Sequence, residues 1–537
     1  MIPVLKQFFD RNTLFGIGGL LALHAVAWLT QHTAWSAIPF AIIVIGVLIV
    51  TKRSLVWGLA LAMLEIFIGG HGHLIDVTLG GTTLGIRQGI FLAVMLGTLY
   101  HIVVKHVRPR FIAERDLPFV FLAGAIVLGT ISGFARNSLG AAFDDMNGYA
   151  TFAYLLPLAM ITWTQEVKRV LLWTFALGAT WVAASSLLLL FLFTHLPVEG
   201  IWALYGFVRD ARLAEVTILS NPAWLVNLFP NGAWFFRVFE QGQFTVMMFT
   251  LVLIAAVVFV AKEWKVRKML LLPLALMIAV DVSGQSRSFW LGLVAAVGVM
   301  AVVILWKRTS FKEILQVKAT GAIALCIALL SLWMLIVLPI PPRPDLSNSP
   351  YYKGSDDDTR ELAVSSRWNL LGPMMEKIAE NPLWGSGFGT TVTFISDDPR
   401  LRAINGTGEW TTYRFEWGFQ DIWLKMGVPG LLAFGFYLFT ILRAGYRAVV
   451  EREETQWLSI SLACGVIALY VAHVFSPYLN HPIGLGFMIF VLPFFVWRDT
   501  PMPTMESLKD RIPSASMTPM QKPVTIRVDN TDLSVKA

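Results

Sequence analysis

Runs of about 17 to 25 apolar residues recur along the whole chain, separated by short polar turns, and a helix of that length crosses roughly 30 Å of hydrocarbon. The pattern predicts spans at 14–32, 36–51, 54–71, 88–107, 117–135, 150–165, 169–194, 242–261, 267–284, 288–306, 319–340, 415–441, 457–475 and 481–497. Several are short for a perpendicular crossing, and a broken or tilted helix absorbs that. The first run follows Asp10, Arg11 and Asn12 and has no cleavage-site pattern, so it reads as a retained span rather than a removable signal. The fold class expected is an all-α polytopic membrane protein of about 14 transmembrane helices.

The turns carry a sidedness signal. An N-terminus in the cytoplasm puts Lys52 and Arg53, then Lys105, Arg108 and Arg110, then Lys168 and Arg169, in successive cytoplasmic turns. The same alternation assigns Lys262, Lys265, Arg267 and Lys268, then Lys307, Arg308, Lys312 and Lys318, then Arg443, Arg447 and Arg452 to that side. Cytoplasmic turns are the Lys/Arg-rich ones, so both ends of the chain are expected to be cytoplasmic.

Residues 1–497 then form the transmembrane domain, with 72–87, 195–241 and 341–414 outside. Trp202, Trp224 and Trp234 in the second of these suit a membrane interface. The third is the one large periplasmic or extracellular loop. Pro341, Pro342 and Pro344 fix a stiff exit, and Asp356, Asp357, Asp358 and Arg360 charge its middle. Ser366 to Glu380 has the pattern of an amphipathic helix stopped at Asn381-Pro382. Residues 498–537, rich in Pro, Ser, Thr and charge, read as a disordered cytoplasmic tail.

Composition narrows the function classes. Only 14% of residues are charged, against about 25% in soluble domains, so a water-soluble protein is excluded. The net charge of +7 is spread over short turns, as a topology signal, and no nucleic-acid partner is expected. Cys326 and Cys464 fall in apolar runs and read as packing residues. There is no phosphate-binding loop, dinucleotide fingerprint or Cys/His metal spacing, and His71-Gly72-His73 alone is too little for a metal. No cofactor and no metal are expected.

The informative charges lie where a bilayer makes them expensive. Arg87 opens the fourth span, Arg136 closes the fifth, Arg237 precedes the eighth and Arg414 precedes the twelfth. Arg287 interrupts Ser283-Gly284-Gln285-Ser286-Arg287-Ser288, where small neighbours let a guanidinium be presented rather than buried. Each arginine has two readings, a contact with anionic lipid or a carboxylate, and a ligand contact. Arg237 and Arg287 favour the second, because two planar forks on one face suit a diphosphate.

Among the carboxylates, Asp421 and Lys425 stand four apart and read as a self-neutralising pair. Glu416, at the outer mouth of the twelfth span, reads either as a proton acceptor in apolar surroundings or as the partner of Arg414 or Arg136. Glu65 lies near the outer end of the third span. His473 and His481 flank the turn Ser476-Pro477-Tyr478-Leu479-Asn480, as bases or as caps of that turn.

Three stretches resemble a known family: Ser283-Gly-Gln-Ser-Arg-Ser-Phe-Trp290; Arg367-Trp-Asn-Leu-Leu with Ile378-Ala-Glu-Asn-Pro-Leu-Trp-Gly-Ser-Gly-Phe-Gly389; and Glu416 through Leu424-Lys-Met-Gly-Val-Pro-Gly430. Over about 230–450 the chain resembles the integral-membrane O-antigen ligase and Wzy-type polysaccharide polymerase superfamily. The resemblance implies a metal-independent, GT-C-like glycosyltransferase in a bacterial inner membrane, with its active site facing the periplasm. It further implies a donor oligosaccharide on undecaprenyl diphosphate, an acceptor glycan, and a flippase and chain-length regulator as companions. Arg237 and Arg287 match the arginines that hold the diphosphate, and Arg367 assists. Arg414, Arg136, His473, His481 and Gln285 are further candidates for substrate contact.

Counting back from Gly427, Glu416 stands where ligases of the family have the histidine proposed as base. That substitution favours a polymerase over a ligase, with Glu416 deprotonating the acceptor hydroxyl. The rival from another class is a transporter or flippase. It is disfavoured because internal repeats are not evident and the unusual charges sit at one face.

Overall fold

The structure, a computed structural model, describes residues 11–495 apart from 81, 111–112, 221–233, 262, 307–309, 339–356, 399–400, 403–405 and 452–455. Pro341, Pro342, Pro344, Asp356, Trp224, Lys262, Lys307, Arg308, Arg452 and the 498–537 tail lie outside the described residues.

Helices α1 (Arg11–Thr30), α2 (Ala37–Arg53) and α3 (Leu55–Ile68) lead to a hairpin of β1 (Asp76–Leu79) and β2 (Thr82–Gly85). Then come α4 (Ile86–Val103), α5 (Ala113–Arg136), α6 (Leu139–Met146), α7 (Leu155–Met160), α8 (Gln165–His195) and α9 (Val198–Asp210). A second hairpin, β3 (Ala214–Ser220) and β4 (Trp234–Glu240), enters α10 (Gln243–Ala255), α11 (Trp264–Ser283), α12 (Arg287–Trp306) and α13 (Phe311–Val337). The chain continues with α14 (Asp357–Glu380), the hairpin β5 (Val392–Ile395) and β6 (Glu409–Thr412), α15 (Gly418–Val450), α16 (Gln456–His473) and α17 (Pro482–Phe495).

Among the described residues, ten helices are long and apolar enough to cross a membrane, and α3 and α17 are shorter apolar helices. The chain is an all-α polytopic membrane protein decorated by two-stranded hairpins. Helix α11, with Lys265, Arg267, Lys268 and Asp281, is not among the ten.

The span predicted at 150–165 is a departure. It is a 3-10 segment, Asn147–Tyr154, followed by the six residues of α7. Gly148 lies so close to the Asn480 carbonyl that a Cβ there would stand 2.5 Å from it, and the tighter 3-10 winding thins the segment at that contact. The stretch still travels between the two ends of the bundle. Asn137, ahead of it, bonds the Phe388 carbonyl at 2.8 Å, and the Arg110 N–H reaches Ala159 O at 2.9 Å.

Helix α10 is buried on every side, with Phe244, Met247, Phe249 and Leu251 at most 1% exposed, and it packs on α8, α11 and α16. That is why its sequence is apolar all round rather than striped. Peripheral helices do the opposite: Ile38, Ile42, Ile45 and Ile49 of α2 are exposed, as a lipid-facing surface requires. Lipid tails are as apolar as leucine, so close packing rather than water exclusion holds the helices together. Gly58 and Gly97 fit this rule, since a Cβ at either would press into Thr51 of α2.

Polar contacts sort to two ends. At one, His101 Nε2 meets Thr51 O at 3.0 Å and Lys105 Nζ donates to Lys52 O at 3.1 Å. At the other, Gln241 meets His71 at 3.0 Å and Ser288 pairs with Ser476 at 2.9 Å. The expectation is that Thr407→Cys reacts with an impermeant maleimide in spheroplasts, while Lys105→Cys reacts only after permeabilisation. The chain tested would have Cys326 and Cys464 replaced by Ala, and the opposite labelling would invert the sidedness.

Candidate active site

The amphipathic helix expected at 366–380 is α14, which begins earlier, at Asp357. Leu370, Met374 and Ile378 recur every four residues and bury against Val392, Phe415, Trp417 and Leu424. The chain then turns into Gly385–Gly389, which wedges between α5 and α15. Five successive N–H groups in this loop are bonded: Gly385 to Asn381 O (2.9 Å), Ser386 to Leu424 O (2.7 Å), Gly387 to Lys425 O (3.1 Å), Phe388 to Gly129 O (3.1 Å) and Gly389 to Asp145 Oδ2 (2.8 Å).

The acceptors on α15 are free because that helix is broken. Gly427 has φ 65 and ψ −160, the Val428 N–H turns to Leu383 O (3.1 Å), and Pro429 has no N–H to return to Lys425. Gly387, at φ 89, lies against the Gly133 backbone, where no side chain fits.

Below the loop, Lys425 Nζ contacts Asp145 Oδ1 at 2.6 Å and Asp421 Oδ1 at 2.5 Å, with all three side chains buried. The Asp421–Lys425 pair is the one expected at this spacing, but Asp145 was not anticipated. Asn480 closes the network by donating to Asp421 and accepting from Tyr149 OH at 2.7 Å.

Three guanidinium groups, on Arg237, Arg287 and Arg367, lie near one another. Strand β4 alternates, burying Phe236, Val238 and Glu240 and turning Arg237 and Phe239 the other way. Arg237 Nε donates to Gly284 O at 2.8 Å, and its Nη1 stands 3.9 Å from Glu215 of the paired strand. Hairpin register creates this pairing, since Thr217 faces Arg237 and Glu215 is its diagonal neighbour.

Arg287, the first residue of α12, is exposed and makes no hydrogen bond or ion pair among the described residues. The guanidinium of Arg367 is held below its usual pKa, first by partial burial and also by the nearby Arg287, with Glu215 opposing. Burial pushes the Tyr478 hydroxyl above its usual pKa, with Glu215 adding and Arg237 opposing. Arg237, Arg287, Arg367, Glu215 and Tyr478 therefore share one electrostatic neighbourhood.

Glu416 corrects an expectation. It is ion-paired with Arg367, not with Arg414 or Arg136, and it is 49% exposed rather than enclosed by apolar groups. Arg136 donates to Gly385 O at 3.4 Å, so its contact is with the glycine loop. Arg87 is held by Glu65 at 2.8 Å, which accounts for both charges.

His473 is fully buried, accepts the Leu479 N–H at 3.1 Å and packs edge-on against Phe419 at 4.8 Å, so it caps the turn. His481 accepts the Ile483 N–H at 3.4 Å and lies 5.7 Å from His71. His71 is driven down to about 4, first by burial and then by Arg87, Arg212, His73 and Arg414, so it is neutral at physiological pH. Arg414 is exposed and donates to Tyr413 OH at 3.2 Å, and Gln285 takes the left-handed φ of 47 beside Gly284.

Residues 272–435 match the family model described as Wzy_C, O-Antigen ligase. That match, over less than a third of the chain, supports membership in the Wzy-type O-antigen ligase and polymerase superfamily. The segment matched to the Wzy_C model holds Arg287, Arg367, Arg414, Glu416, the glycine loop and the α15 break, while Arg237 lies ahead of it. No curated protein and no solved structure matches the chain.

Two substitutions test the Wzy_C loop and its support. Gly387→Ala should cost about 3 kcal/mol through backbone strain and collision, read as a lower melting temperature in detergent. Gly372→Ala, where a Cβ meets nothing within 4 Å, should not. Lys425→Met should cost about 3–5 kcal/mol, because it strands two buried carboxylates. Adding Asp145→Asn to that variant should recover part of the loss.

Proposed function

We propose that the protein is a membrane glycosyltransferase of O-antigen-ligase type, which transfers glycan from a polyprenyl diphosphate to an acceptor sugar hydroxyl at the outer face. The observation that carries this reading is the grouping of Arg287 with Arg367 and, through Gly284, with Arg237, in which Arg287 makes no ion pair among the described residues. The reading includes the finer arrangement implied by the family resemblance: about 14 crossings, a GT-C-like organisation, and a bacterial inner membrane with the site facing the periplasm.

The chemistry is a single displacement. Arg287 binds one phosphate of the donor, and Arg237 binds the other as Glu215 yields its place. Arg367 turns from Glu416 towards the incoming anion, which releases the Glu416 carboxylate to accept the acceptor's hydroxyl proton. The acceptor oxygen bonds to the anomeric carbon as the carbon–phosphate-oxygen bond breaks, its electron pair leaves on the diphosphate, and the anomeric centre inverts. The guanidinium groups stabilise the charge that gathers on the leaving diphosphate.

The matched family description favours a ligase acceptor, a preformed core glycan, over the polymerase inferred from sequence. The polymerase inference rests on a carboxylate, Glu416, at the position where ligases of the family have a histidine, and Glu416 is ion-paired with Arg367. Extension of one lipid-linked glycan by another remains the second reading, carried by a carboxylate at the histidine position. A transporter loses its best residue, since Glu65 is neutralised by Arg87.

Purified protein given undecaprenyl-diphosphate-linked glycan should consume it when a lipid A core acceptor is added. Chain growth on the donor alone would instead establish the polymerase. Arg287→Ala should lower turnover by about a hundredfold or more at normal protein level, with Arg287→Lys only partly active. Unchanged turnover in both would overturn the diphosphate assignment.

A further inference from the structure

Beside Arg367 lies a row of aromatic rings that the displacement does not use. Two consecutive pairs build it: Arg367-Trp368 on α14 and Glu416-Trp417 before α15. The two charged members ion-pair, and the two indoles meet edge to face at 4.8 Å and 67°. Trp417 donates its Nε1–H to Arg367 O at 2.8 Å and extends the row to Phe475 at 5.7 Å. The residue after Phe475 is Ser476, whose hydroxyl pairs with Ser288 at 2.9 Å, one residue from Arg287. The row therefore runs from the Glu416–Arg367 pair to the start of the Arg287 helix.

Trp417 is 6% exposed and supports its neighbours, whereas Trp368 is 58% exposed and Phe475 37%. Hydrocarbon alone does not account for Trp368, because Asn369 and Glu376 on the same helix are exposed polar residues. A sugar ring does account for it. A pyranose offers a face of C–H groups to an aromatic ring and hydroxyls around its rim, and this platform is bordered by donors on Arg367 and acceptors on Glu416.

We propose that Trp368 and Phe475, braced by Trp417, form the binding platform for the sugar directly attached to the donor diphosphate. The proposal rests on the glycosyl-transfer reading and adds a subsite to it. With the diphosphate on Arg287, this sugar lies over the row and turns its anomeric carbon towards the acceptor oxygen at Glu416. Specificity for the glycan then arises from ring stacking, separately from recognition of the anionic carrier.

The test compares two probes on the full chain in nanodiscs: undecaprenyl diphosphate, and the undecaprenyl-diphosphate-linked oligosaccharide that accumulates in cells lacking this protein. Wild type should bind the glycosylated probe about tenfold more tightly. Trp368→Ala should erase that ratio while leaving affinity for the bare carrier unchanged, and Trp368→Phe should keep most of it. Because Trp368 is exposed, the melting temperature should not move. A ratio unchanged in Trp368→Ala, an equal loss for both probes, or no preference in wild type would overturn the platform. Failure of the glycosyl-transfer reading looks different: the bare carrier would not bind wild type, and Arg287→Ala would change nothing.

Discussion

An irregular stretch of backbone buried among membrane helices must find an acceptor for each of its N–H groups, because an unmet one costs several kcal/mol. The rest of the site depends on how that constraint is met at residues 385–389. The loop is satisfied by carbonyls that an unbroken helix would have consumed itself. Gly427 and Pro429 free Leu424 and Lys425, and the glycines of the loop let its backbone come close enough to use them. The break in one segment and the glycine spacing in the other are two halves of one joint.

That joint fixes α14 to the start of α15, and with it the charges above. Arg367 and Trp368 leave one side while Glu416 and Trp417 leave the other, so two sequence neighbours meet two others in an ion pair and a ring contact. Lys425 and its two carboxylates hold the joint from below and add α6 to it. The group of charges is completed by elements far away in the chain, β4 with Arg237 and the start of α12 with Arg287. Rigid elements therefore position a group of arginines whose mutual repulsion would otherwise spread them.

Much of the architecture was legible because a bilayer imposes length and apolarity on each helix independently. Residue spacing within a helix was equally readable, as with Asp421–Lys425 and the buried stripe of α14. What failed depended on pairing between distant segments. Glu215 reaches Arg237 only through hairpin register, Asp145 reaches Lys425 across 280 residues, and neither has a local signature. The partner of Glu416 was missed for the same reason, since Arg367 comes from another helix. His473 carried two readings that only burial could separate. The segment at 147–160 had the composition of a span, but contact with Asn480 wound it differently.

The distance along the chain between the halves of the joint bears on how the protein is made. Gly129, Gly133 and Asn137 enter the membrane early in synthesis, and their partners at 385–390 follow some 250 residues later. Until then the slot in α5 stands open, with polar backbone facing lipid or whatever insertion machinery shields it. The contacts between these two segments therefore form only once both have been synthesised, which gives the joint a high contact order.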